Sequence, residues 1–284
     1  MNRTTLFAYL RRSPFGGRLS TAQVRGVETI LAVWATTAQT DIRWLAYILA
    51  TAFHETAATM QPVRETLASS DTKAISILDR AFAAGKLPTV KTPYWRRDKA
   101  GKSWLGRGFI QLTHEANYRA ASKAAGIDLV ADPAKAMDAD VAARVLVLGM
   151  IAGLFTGKRL ADYFSDAKDD PVGARRIVNG TDKASLIATY YRAILDALKA
   201  ADESDAPADA MAALAVPDDK PATQSGTAWL AVAAPAAGGV AAPLIGGINN
   251  VHALIFSLAL LALSGVIVAM FASGRWSINR GGAA

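Results

Sequence analysis

The chain has 284 residues, 52% of them hydrophobic, which is enough for a sizeable core in one large domain plus extras or in two small domains. It has no cysteine, which excludes disulfides, thiol nucleophiles and thiolate metal sites and gives no evidence on compartment. The net charge of +7 is uneven: residues 1–200 carry 28 Lys and Arg against 18 Asp and Glu, residues 201–227 one Lys against six acids, and residues 228–284 only Arg275 and Arg280.

Residues 1–19 show no secretory pattern, because a short apolar run meets Arg11 and Arg12 at once. Pro14-Phe15-Gly16-Gly17 reads as a turn. A helix is expected to open at Ser20, where Ser20 and Gln23 make a capping box and Leu19 with Val24 a hydrophobic staple. Val24, Val27, Ile30, Leu31 and Trp34 form its core face. The next helix, capped by Thr40 or Asp41, carries Leu45, Ile48, Leu49 and Ala52 at helical spacing. Glu55 falls close to that stripe, where its carboxyl would be poorly solvated and desolvation would raise its pKa toward what a general acid needs; a helix-end Glu turned to solvent is its other reading. Pro62 prevents the helix from running far past Glu55, so Glu65 lies beyond its end. A chain reversal after Thr56 would set Glu65 across a cleft; a surface ion pair with Arg64 or another base is its other reading.

Residues 70–90 read as a helix ending near Gly85, with Ile75, Leu78, Ala81 and Phe82 inward. The loop-like stretch 91–105 offers Tyr94, Trp95 and Trp104, either as platforms for pyranose faces or as core. Ile110 and Leu112 alternate with Gln111 and Thr113, so a short extended segment points Gln111 and Thr113 the same way. Helices are expected at 117–126 and 133–154, the second opened by Asp132-Pro133, and a short one at 158–166. Asp169-Asp170-Pro171 opens another, which brings Arg175, Arg176 and Asn179 near its end and closes in a left-handed turn at Asn179-Gly180. A last helix runs from about Lys183 to Ala200 with Leu186, Tyr190, Ile194 and Leu198 inward. Strands are scarce, and the fold class is mainly α.

Three segments stand in order: His54-Glu55-Thr56; Gly106-Arg107-Gly108-x-Ile110-Gln111-Leu112-Thr113-x-x-x-Asn117-Tyr118; and Arg176-x-x-Asn179-Gly180. Together they resemble glycoside hydrolase family 19, which contains chitinases and phage and bacterial endolysins, over roughly residues 20–200. The resemblance implies a lysozyme-like fold, no cofactor and no metal. It implies an inverting glycosidase acting on β-1,4 bonds between N-acetylated sugars of peptidoglycan or chitin, with Glu55 as acid and Glu65 activating water. It assigns Gln111 and Thr113 to the attacking water and Asn117 to sugar. His54, Thr56, Tyr94, Trp95, Tyr118, Arg176 and Asn179 complete the candidate substrate contacts. Phe109 stands where plant members usually have Pro. His114 and Glu115 are rival acid–base candidates read as surface residues. The alternatives are a lytic transglycosylase using Glu55 alone and a non-catalytic wall-binding module on a membrane. Zinc hydrolysis is not expected, since His54-Glu55-Thr56-Ala57-Ala58 lacks a second His, and no Gly-x-Ser-x-Gly is present.

The catalytic domain is thus expected at residues 1–200, followed by an Ala/Pro/Gly-rich flexible linker at 201–250, a transmembrane helix at 251–272 and a short basic tail at 273–284. Residues 251–272 hold no charge and no Pro, and 22 residues at ~1.5 Å each span a hydrocarbon core of ~30 Å. Arg275 and Trp276 are interfacial anchors. The expected partners are cell-wall polysaccharide, which suits a basic folded part, and membrane lipid. Nucleic acid is not expected, because basic charge alone speaks for it. The expected location is a membrane, crossed once by the C-terminal helix, with the catalytic domain facing the wall.

Overall fold

A computed structural model describes residues 1–203. The expected linker beyond that point, the span at 251–272 and the basic tail lie outside the described residues. Among the described residues no helix is long and apolar enough to cross a membrane.

The fold is mainly helical, with two minimal antiparallel ribbons. Helix α1 (Arg3–Arg12), for which no expectation was set, packs against the last helix, α7 (Ala184–Glu203). Helix α2 (Thr21–Ala35) starts at the capping box: Ser20 Oγ accepts from Gln23 N at 3.1 Å, and Gln23 Oε1 accepts from Ser20 N at 2.7 Å. Helix α3 (Ile42–Glu55) is capped by Asp41, whose carboxylate accepts from Arg43 N at 2.9 Å. All nine residues from Leu45 to Phe53 are buried. A helix apolar on every side belongs in the middle of a bundle, and α2, α6 (Ala139–Ala152) and α7 surround this one.

Past α3 the chain turns into strand β1 (Val63–Arg64), which pairs with β2 (Arg107–Gly108) in the register Val63↔Gly108, Arg64↔Arg107. Helix α4 (Asp71–Ala83), ending just before Gly85, lies over a small separate core of Ala68, Ala74, Leu78, Trp95 and Leu105. Helix α5 (Glu115–Ala125) follows β2 and ends on Gly126 at φ 74°, a left-handed cap that glycine adopts without strain.

Several expectations change. Residues 133–154 are a 3-10 turn (Pro133–Met137) and then α6, because Asp138 is extended (φ −69°, ψ 128°) and ends the first piece. Asp132 still caps, accepting from Ala134 N at 3.1 Å. The helix expected at 158–166 is a 3-10 turn (Leu160–Asp162) leading into a ribbon of β3 (Phe164–Ser165) and β4 (Lys168–Asp169). Residues 110–113 are not extended: Gln111 takes φ 55°, and Arg107 and Leu112 exchange backbone hydrogen bonds that close the segment into a tight loop. Arg175 and Arg176 lie in a 3-10 helix (Gly173–Ile177). Gly180 does not take positive φ; the Asn179 side chain accepts from Gly180 N at 2.8 Å instead. On α7 Ile194 and Leu198 are buried as expected, whereas Leu186 and Tyr190 are only half-buried and Ile187 and Tyr191 are fully buried, because both α1 and α3 pack on this helix and widen its buried face.

Candidate active site

Glu55 is the last residue of α3 and emerges where the buried helix stops, its side chain 16% exposed. Thr56 closes the helix: its hydroxyl donates to Ala52 O at 2.7 Å and accepts from Met60 N at 3.0 Å. Glu55 is poorly solvated as its apolar stripe suggested, but it also has a charged partner. Arg175, 4% exposed, donates from Nη1 to Glu55 Oε1 at 2.5 Å and from Nε to Asp182 O at 3.1 Å. A buried charge requires a compensating partner, and the 3-10 helix delivers one from 120 residues away in sequence.

Glu65 opens the turn directly after β1, and its own N–H donates to Gly106 O at 2.7 Å. Oε2 accepts from Gly106 N at 2.8 Å and Oε1 from the Tyr94 hydroxyl at 2.7 Å. Burial, and then the Glu65 acceptor, push the Tyr94 hydroxyl well above its ordinary pKa, so it stays a donor. Gln111 Nε2 donates to Val63 O at 3.1 Å. A Cβ built on Gly106 would stand 2.7 Å from Gln111 Oε1, so Gly106 is where three groups meet too closely for a side chain.

The ribbon carrying Glu65 has two arginines directly opposite each other, a pairing that is unfavourable on its own. Asp71, at the start of α4, offsets both: it accepts from Arg64 Nε at 2.7 Å and from Arg107 Nη2 at 2.6 Å. Arg107, 1% exposed, also donates to the Tyr118 hydroxyl at 2.8 Å and to Ser103 O at 3.0 Å. Burial pushes the Asp71 carboxyl up, but hydrogen bonds from Arg107 and Arg64 outweigh it and hold the carboxyl below the usual carboxylate range. Arg64 therefore pairs with Asp71, and the alternative reading of Glu65 as an ion-pair partner of Arg64 is not met.

Strained backbone gathers at these two carboxylates. Ala57, Ala58 and Met60 after Glu55, Thr66 and Leu67 after Glu65, and Gln111 and His114 all take positive φ without being glycine. Such conformations persist only where surrounding structure enforces them, and they concentrate at functional sites.

The candidate substrate contacts divide. Tyr94 and Gln111 gather around Glu65 and Gly106, and His54 is the half-buried neighbour of Glu55. Burial holds the His54 imidazole below its ordinary pKa. Thr113 is half-buried, while Asn117, Arg176 and Asn179 are exposed. Thr56, Trp95 and Tyr118 are each 0% exposed and offer no face to a sugar. Trp95 fills the small core and donates from Nε1 to Asp79 at 2.9 Å. The Tyr118 hydroxyl, pushed up to about 12 by burial, donates to Leu105 O at 2.7 Å. Trp104 is core as well, 7% exposed and edge-on to Tyr118. His114 and Glu115 are exposed as expected, although the His114 ring lies 4.2 Å from that of Tyr94.

The residues missed from sequence are Arg175, Arg107 and Asp71. The first two stand in or beside the motifs; nothing in the sequence singles out Asp71. Among the described residues no group of three or more His, Cys, Asp and Glu side chains could hold a metal ion.

No curated protein matches the chain. Residues 27–151 match the family model described as chitinase class I, a stretch holding Glu55, Glu65 and the 106–118 loop but not Arg175. The matched segment, less than half of the chain, is a glycoside hydrolase family 19 domain and supports a glycosidase.

Proposed function

We propose that the chain hydrolyses β-1,4 bonds between N-acetylated sugars of bacterial peptidoglycan, by an inverting mechanism with two carboxylates. The observation that carries this reading is the separate anchoring of Glu55 and Glu65. Arg175 holds one from the 3-10 helix, and Tyr94 with Gly106 N holds the other beside the β1–β2 ribbon. In this reading protonated Glu55 gives its proton to the leaving glycosidic oxygen, and Arg175 stabilises the carboxylate left behind. Glu65 takes a proton from water as the water attacks the anomeric carbon from the other face, so the configuration inverts. Tyr94 and Gly106 N leave Glu65 only a fixed set of lone pairs for that water.

Digestion of purified peptidoglycan and colloidal chitin side by side, with mass analysis of the product ends, tests it. Reducing ends on muramic acid are expected. Anhydro ends would replace hydrolysis by transglycosylation through Glu55 alone. Glu55→Gln should abolish turnover with the fold intact; near-normal hydrolysis would displace Glu55 as the acid.

The uncharged stretch 251–272 supports single-pass anchoring, and Arg275 and Arg280 on its C-terminal flank favour a wall-facing catalytic domain. Recovery of the full chain in the soluble fraction would overturn the anchor. Protection of residues 1–200 from protease in intact spheroplasts would overturn the orientation.

A further inference from the structure

The segment 71–105, formed by α4 and the loop after it, covers its own small core and reaches directly to Glu65 through Tyr94. It carries eight Lys and Arg against three Asp, a surplus of five; that is half the surplus of residues 1–200 in 35 positions. All three acids are used internally. Asp71 is held by Arg64 and Arg107, and Asp79 by Trp95 and Arg96. Asp98 takes hydrogen bonds from Ala100 N, Lys102 N and Trp104 Nε1. By contrast, Lys73, Arg80, Lys86, Lys91, Arg97 and Lys99 are exposed and form no ion pair among the described residues. A surface with a net positive charge beside a site attracts anions and repels cations.

We infer that this lobe docks the carboxylates of peptidoglycan stem peptides while the glycan lies at Glu65. The inference rests on the peptidoglycan reading above and names the part of that substrate which the protein grips outside the sugar site. Uncharged chitin gains nothing from such a surface, whereas each peptidoglycan repeat carries stem carboxylates within reach of extended Lys and Arg side chains.

The test is binding, kept separate from turnover. The full chain, in mild detergent, is co-sedimented with sacculi stripped of accessory wall polymers, and with glycan strands freed of peptide by amidase. The variant Arg80→Gln, Lys86→Gln, Lys91→Gln, Lys99→Gln removes four exposed charges and none of the site residues. Expected is about tenfold weaker binding to peptide-bearing sacculi at low salt, with a flatter salt dependence and unchanged binding to peptide-free strands. An unchanged thermal midpoint checks the fold; if it falls, the pairs Arg80 with Lys86 and Lys91 with Lys99 are read separately. Unchanged sacculus binding, equal losses on both substrates, or no binding by the parent chain each overturns the inference. Failure of the parent to hydrolyse peptidoglycan would sink the proposed reaction but leave the docking result readable.

Discussion

The hydroxyl of Tyr94 donates to Glu65 Oε1 at 2.7 Å, from a ring set edge-on to Trp95 and 4.2 Å from the His114 ring. An aromatic side chain that the sequence offers as a sugar platform is thus occupied in orienting a carboxylate. Tyr94→Phe keeps both ring contacts and removes only the donor. A hydrogen bond to a charged group contributes roughly 1.5–3 kcal/mol, so kcat should fall about tenfold or more with KM little changed. A variant with unaltered kcat would mean that Glu65 does not depend on Tyr94 for its orientation.

Arg175 and Arg176 are neighbours with opposite fates, and they should respond oppositely. Arg175 is buried on Glu55, whereas Arg176 is exposed, and its carbonyl accepts from the Thr156 hydroxyl at 2.6 Å. Arg175→Gln leaves Glu55 without its partner and should cost about 3 kcal/mol of stability and most of the activity. Arg175→Lys should restore only part of either, since one ammonium cannot reach both Glu55 and the Asp182 carbonyl as a guanidinium does. Arg176→Gln should stay within about 0.5 kcal/mol of the parent. Denaturant titration beside a hydrolysis assay separates the two positions; equal effects would contradict the assignment.

What was legible in the sequence was local. The capping box at Ser20 and the end of α3 at Glu55 follow from side chains within four residues of each other and from a run long enough to show a 3.6-residue period. Arg175 could not be told from Arg176 that way, because a 3-10 helix of five residues is too short to reveal which face is buried. The Asp71–Arg107 pair joins residues 36 apart, and nothing local announces it. Gln111 was misjudged for a different reason: the alternation from Ile110 to Thr113 looks extended, but the 107–112 loop forces Gln111 to φ 55°, and tertiary closure overrides local preference.

Gly106 provides a steric test of the same corner. The added methyl of Gly106→Ala would meet Gln111 Oε1 at 2.7 Å, Glu65 Cβ at 3.3 Å and Glu65 Oε2 at 3.4 Å. The nearest of these is the far end of a side chain, so Gln111 should move first. Activity should fall on the order of a hundredfold, as expected when a catalytic group is misplaced by about 1 Å, while the fold survives. Adding Gln111→Ala should recover lost thermal stability by clearing the nearest atom, without recovering activity. Recovery of both would mean that Gln111 only fills space.

Asp71 supports a prediction with a definite pH sign. Its folded pKa is depressed below the ordinary 3.8, so its contribution to stability is present above that value and is lost as pH falls through the folded value. Asp71→Asn keeps the side-chain shape but leaves Arg107, 1% exposed, opposite Arg64 with no anion between them. At pH 7 the variant should be less stable by about 3 kcal/mol. As pH falls below the ordinary 3.8 and through the depressed folded value, the parent loses the same interaction by protonation, so the gap between the two proteins should narrow. Denaturant unfolding at pH 7, 4 and 2 reads this directly. A gap that did not narrow at all as the parent's Asp71 protonates would show that Asp71 acts through packing rather than through its charge. A closing gap, accompanied by lower kcat at neutral pH with KM little changed, would show that the charge at the start of α4 holds the ribbon that carries Glu65.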